Sequence, residues 1–189
     1  MRVRLARLVV SLPIILMTYI TVPTTSFAAE QKRAAVTSMK DFEMSRYLGQ
    51  WYEIARLPMF FERDCVTHIM STYTPKSNGK IKVDNECRHA DGKTQHAIGE
   101  ATSINNNAGQ LLITFLPNWL NWMSFGKAES KIYIMQTDYR TALVGSPDHK
   151  YLWIWSRTPQ IDPVTYDNYI KEAQRQGFDT RQIIINNQK

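Results

Sequence analysis

Few residues in this chain could do covalent or acid–base chemistry. There are two cysteines, Cys65 and Cys87, and four histidines, His68, His89, His96 and His149. A thiol with a lowered pKa could act as a nucleophile. The histidines lack metal-ligand spacing, and the cysteines do not form a C-x-x-C pair. The sequence holds no Gly-x-Ser-x-Gly elbow and no phosphate-cradling glycine loop. Glu53 is an acid within an alternating apolar stretch, which suits a structural partner for a backbone or arginine donor better than a general acid. The cysteines flank a hairpin signal, Pro75-Lys76-Ser77-Asn78-Gly79, at nearly equal distances from its centre. They should therefore face each other on adjacent strands, either bridged or as two separate buried thiols. A bridge would remove the nucleophile. Neither metal nor cofactor is expected.

The rest of the chain must position whatever acts. With 189 residues, 43% of them hydrophobic and 11% aromatic, there is material for one globular domain with a core. Arg2, Arg4 and Arg7 precede an apolar run from Leu8 to Val22, and Ser26-Phe27-Ala28 offers small residues for a peptidase. Residues 1–28 thus read as a cleavable signal peptide. A membrane anchor is the competing reading, disfavoured by Pro13 and by a run short of the ~20 apolar residues a span needs. Removing the leader lowers the formal charge from +6 to about +3, with 20 basic against 17 acidic residues scattered along the chain. That excludes nucleic acid as an expected partner. The mature protein should be periplasmic or secreted. Outer-membrane association stays open, although no cysteine near the cut could be lipidated. Residues 29–44 read as a linker and 45–189 as the domain.

Strand signals recur at short intervals: 49–56, 66–74, 80–87, 96–103, 111–116, 131–137, 141–145 and 151–156. Turn residues separate them. The first segment alternates Trp51, Glu53 and Ala55 with Tyr52, Ile54 and Arg56 across its two faces. Eight evenly spaced strands favour an all-β, antiparallel up-and-down barrel, closed so that no edge remains. One flanking helix is predicted, with Asp162 as N-cap, Pro163 at its first position and Gly177 as its stop. Val164, Tyr166, Ile170 and Ala173 would form its apolar stripe, and 182–186 reads as a short last strand. Two connections are unusually apolar. Residues 57–62 should cover an opening or form a satellite of core. The segment 117–125 carries Trp119, Leu120, Trp122 and Phe125, which suit a membrane interface, a partner surface, a ligand portal or a local core.

Three separated signatures make the sequence resemble the lipocalins. Gly49-Gln50-Trp51-Tyr52 looks like the family's first motif, Thr137-Asp138-Tyr139 like its second, and Arg157 after Leu152-Trp153-Ile154-Trp155-Ser156 like its third. The resemblance runs from about Met44 to the C-terminus. Gly99-Glu100-Ala101 and Tyr151–Pro159 point to the branch with bacterial outer-membrane lipocalins and apolipoprotein D. It implies an eight-stranded barrel with one closed end, where Arg157 lies over the indole of Trp51. It also implies that the face shared by Tyr151, Trp153, Trp155 and Arg157 points inward.

With that face inward, alternation selects a lining of Ser71, Tyr73, Ile81, Val83, Ala97, Ile113, Phe115, Ile132, Ile134, Leu143, Tyr151 and Trp153. An eight-stranded barrel can be filled or can hold one small ligand, and the resemblance favours a cavity. The expected function is that of an exported carrier, not an enzyme, for a fatty acid, lysophospholipid or other small hydrophobic ligand, with a role in envelope lipid maintenance. Its expected contacts include the membrane periphery and a second copy of the chain. Two other readings stand beside this one: a thiol enzyme acting on a hydrophobic substrate, and an interaction module using the Trp119–Phe125 loop.

Overall fold

A computed structural model describes residues 34–105, 108–115 and 129–188. The expected leader and the Trp119–Phe125 loop lie outside these. Eight antiparallel strands follow one another: β1 (Gly49–Arg56), β2 (Thr67–Pro75), β3 (Ile81–Arg88), β4 (Thr94–Ser103), β5 (Gln110–Thr114), β6 (Glu129–Thr137), β7 (Thr141–Gly145) and β8 (Leu152–Ser156). Each pairs with the next, β8 pairs with β1, and β1 also pairs with β2, so the sheet closes on itself. Closure satisfies the edges that an open sheet would leave bare. A two-residue strand, β9 (Ile184–Ile185), takes the edge of β1 at Ala55 and Arg56, beyond the four positions Gly49 to Tyr52 that β2 occupies.

Helix α1 (Met44–Tyr47) leads into β1, and helix α2 (Pro163–Arg175) packs on the outer wall. Asp162 caps α2 as expected, its carboxylate accepting from the Thr165 backbone N–H at 2.9 Å, and Gly177 ends the run with a φ of +90°. The stripe is shifted from the expected one. Tyr169 and Ala173 are buried, Tyr166 and Ile170 are partly buried, and Val164 is exposed. Val164 stands in the first turn on the opposite face of the helix, since a period of 3.6 residues puts Tyr166, Tyr169, Ile170 and Ala173 together on the side toward the barrel and Val164 away from it. Within the described part of the expected linker, residues 34–44, Val36 and Phe42 are buried against the barrel. Met39 donates its N–H to the Ile134 carbonyl, tying that stretch to β6.

Two apolar layers result. One fills the barrel's interior, and the other lies between its wall and α2. Strand alternation decides which residue goes where, except at bulges. On β1 the register shifts between Glu53 and Ala55. The extra residue sends Ile54 and Ala55 together into the outer layer and brings Arg56 round to Glu53. Ala55 was expected on the Trp51 face, and this bulge overturns that.

Cys65 and Cys87 form a disulfide across a sequence separation of 22, packed with Ile69. Closing a loop of that size removes unfolded-state entropy worth about 3 kcal/mol. Urea unfolding of the Cys65→Ala/Cys87→Ala variant should show a loss of that order, and an unchanged midpoint would contradict it.

Candidate functional site

The barrel encloses a cavity of about 300 Å³ on one side of its interior layer. Tyr73 and Val83 reach it from β2 and β3, Ala97 from β4, Ile113 and Phe115 from β5 and its end, Ile132 from β6, and Tyr151 and Trp153 from the start of β8. These eight were expected. Trp155, Val144, Asn85 and Ser130 also line it, as do Phe60 and Phe61 from the connection between β1 and β2. The apolar character of residues 57–62 was the signal for the last two. Aromatic rings run in a row from rim to interior: Phe60 to Phe61 at 5.2 Å, Phe61 to Tyr151 at 5.5 Å, and Tyr151 to Trp153 at 5.9 Å. Phe60 is 76% exposed, so an apolar surface leads from solvent into the cavity. The polar groups along this path are few and separated, as in sites that hold an apolar molecule and orient one end.

Leu143 is a correction. It pairs with Ile154, shares that residue's outward side and is buried beneath α2. Its neighbours Ala142 and Val144 take the interior. Ser71, Ile81 and Ile134 are buried in the barrel without reaching the cavity. Ser71 stands opposite Trp51, at the plugged end. Gly99 is needed for the lining itself. A Cβ there would come within 2.8 Å of the Phe115 ring, so only glycine lets that ring cross β4.

The closed end is built from α1 and two turns. Gly49, with a φ of +92°, turns the chain from α1 into β1. Trp51 follows, fully buried, with its indole N–H donating to the Tyr47 carbonyl at 2.8 Å. The Arg157 guanidinium stacks 3.7 Å above the Trp51 ring. It donates to the carbonyls of Gln50 (2.7 Å), Leu48 (2.8 Å), Arg46 (3.0 Å), Tyr47 (3.1 Å) and Tyr139 (3.3 Å). Three of these carbonyls close α1, whose last turn would otherwise leave acceptors bare. A planar fork can stack and donate at once, which an ammonium cannot. In the turn after β6, Asp138 accepts from the backbone N–H of Thr141 (2.7 Å) and Arg140 (2.9 Å). Against the partial burial that would raise it, those donors hold the Asp138 carboxyl below its ordinary pKa. Tyr139, at a φ of +67°, turns its carbonyl to Arg157.

The model of the lipocalin-like domain matches residues 42–188. The chain belongs to the lipocalin family. It is 32% identical over 155 residues to the outer membrane lipoprotein Blc of Vibrio cholerae, covering 79% of this chain and 85% of that one. It is 29% identical over 142 residues to bovine (Bos taurus) apolipoprotein D, covering 70% and 69%. Among solved structures, insecticyanin from the tobacco hornworm Manduca sexta superposes with a TM-score of 0.66 at 22% identity, over 82% of this chain and 85% of that one. In this lipocalin the family motifs form the plug, and the cavity lies beyond it along the strands.

A buried charged trio stands beside the cavity. Glu53 is fully buried and Arg56 nearly so. Arg56 Nη1 lies 3.2 Å from Glu53 Oε1, and its Nε lies 3.3 Å from Glu62 Oε2. Burial, with the charge of Glu62 second, holds the Glu53 carboxyl well above its ordinary pKa. Burial likewise pushes Glu62 up to about 6, against the pull of Arg56. The folded state therefore keeps protons that the unfolded state releases near 4.5. The stabilising contribution is complete below that value and is lost as pH rises through about 6, on the order of 2 kcal/mol for Glu62. Melting temperatures of wild type and Glu62→Gln between pH 4.5 and 7.5 would check this. The wild type should lose stability over that window relative to the variant, and parallel curves would contradict it.

The same sulfur chemistry bears on the thiol reading. His89 lies close to both cysteine sulfurs, but those sulfurs are bonded to each other. As oxidised here, the chain has no free cysteine.

Proposed function

We propose that this lipocalin is an exported carrier that holds one apolar or amphipathic lipid in its barrel, a fatty acid or lysophospholipid, and serves envelope lipid maintenance. The observation that carries the reading is the blind-ended cavity of about 300 Å³, lined mainly by aliphatic and aromatic side chains and approached past exposed Phe60 and Phe61. Burial of a chain there would gain ~25 cal/mol per Å² of apolar surface removed from water. The name of the Vibrio cholerae relative, an outer membrane lipoprotein, supports export and an envelope setting. Peripheral contact with a membrane fits the rim, where Phe60, Phe61 and Val66 are exposed. A disulfide in place of two thiols favours carriage over thiol catalysis.

Displacement of a fluorescent fatty acid tests the proposal. Palmitate and lysophosphatidylcholine should each compete, saturating at one site per chain. A purified, delipidated protein that binds neither would refute it.

A further inference from the structure

A smaller chamber of about 70 Å³ adjoins the cavity, and Phe61, Asn85, Ala97 and Trp155 line both. Its wall also carries Glu53, Glu62 and Glu86 from β1, the mouth turn and β3. Neither lysine nor arginine lines it among the described residues. A nearby cation, Arg56, has both its Nη groups committed, while its Nε faces Glu62 Oε2 at 3.3 Å. Its Nη1 donates to Glu53 Oε1 and to Asn186 Oδ1 at 2.5 Å, and its Nη2 donates to the Glu62 and Cys65 carbonyls at 2.9 and 3.5 Å. Two carboxyl groups share one guanidinium, so the negative charge is matched only while one of them keeps a proton, and Glu86 adds a further carboxyl group to the wall. Glu53 is fully buried, and neither its Oε2 nor Glu62 Oε2 accepts a well-aligned N–H, so the two carboxyl groups are paired with each other only through a retained proton. The buried Oδ1 of Asn85, at the junction of the two spaces, has no hydrogen-bond partner among the described residues. Unpartnered acceptors and uncompensated charge are costly away from water. A carboxylate head would add negative charge and bring no donor to Asn85 Oδ1, whereas a head with N–H donors and positive charge supplies both what Asn85 lacks and what the carboxyl groups need to ionise.

We propose that this chamber is a head-group subsite for a primary ammonium, carried by an amphiphile whose chain fills the main cavity. The inference rests on the carrier reading above and narrows its ligand class. In the empty protein, protons retained by Glu53 and Glu62 hold down the charge. An arriving ammonium takes over that task and releases a proton, so its affinity rises with pH. Among the described residues the ionisable groups around it are Glu53, Glu62 and Glu86 in its wall, Arg56 against the first two, and His89 beside the disulfide and Gln95 that close one side.

The test is competition of dodecylamine, laurate and dodecanol against a bound fluorescent fatty acid at pH 5 and pH 8. Wild type, Glu62→Gln and Glu53→Gln would be compared, with Glu62→Gln standing alone if Glu53→Gln does not fold. At pH 8 the wild type should bind the amine ~10-fold or more tighter than laurate or dodecanol, as charged hydrogen bonds allow. That preference should shrink at pH 5 and in the variants. Equal binding of all three, or a preference for laurate, would overturn the subsite and leave the carrier reading standing. Failure of every chain to bind would overturn both.

Discussion

Replacing Trp51 with alanine should destabilise this lipocalin by about 3–5 kcal/mol, the range for removing a large buried aromatic. Replacing Arg157 with alanine should cost a comparable amount, because five backbone carbonyls lose their donor and the indole loses its cover. Arg157→Lys should recover little, since an ammonium cannot stack flat and reach the carbonyls together. The two sites form one unit, so the double variant should lose less than the sum of the singles. Urea unfolding of all four proteins measures this. Full additivity, or unfolding midpoints equal to wild type, would show that the plug does not hold the fold. Ligand affinity of the folded fraction should stay near wild type, because the cavity lies further along the strands.

The second large effect concerns the cavity. Ala97 lines both the main cavity and the side chamber. An indole in its place would fill much of a volume of about 300 Å³. Ala97→Trp should weaken fatty-acid binding by ~100-fold or more, with a smaller cost to stability, since the added ring enters open space rather than packed core. Leu143→Ala supplies the contrast. It should cost about 2–5 kcal/mol as a large-to-small change in a buried layer, and leave affinity unaltered. If Leu143→Ala abolished binding and Ala97→Trp spared it, the placement of the cavity would be wrong.

The difference between those two residues shows how far the sequence could be read. Turn residues and alternation placed all eight strands within a few positions, and Asp162 and Gly177 marked the ends of α2 because capping is local chemistry. Cys65 and Cys87 could be set opposite each other from their distances to one turn, which left a bridge and two separate thiols both open. Trp51 and Arg157 could be joined only through family resemblance, since more than a hundred residues separate them. Leu143 was misplaced because a five-residue strand with apolar residues on both sides carries no visible alternation; only its pairing with Ile154 shows which way it faces. The bulge after Glu53 was hidden for a related reason. An extra residue in a strand leaves the apolar pattern intact while it reverses the faces, and the buried trio follows from that reversal. Glu62 reaches Arg56 from a turn, where no periodicity announces it.

On the proposed function, the interior of this barrel holds an amphiphile's chain. Native mass spectrometry of the protein purified from producing cells, before and after delipidation and reloading with palmitate, tests it most directly. A one-to-one adduct is expected, one that delipidation removes, that reloading restores, and that Ala97→Trp fails to retain. Spectra showing only the bare chain in every condition, or an Ala97→Trp variant that loads as fully as wild type, would contradict it.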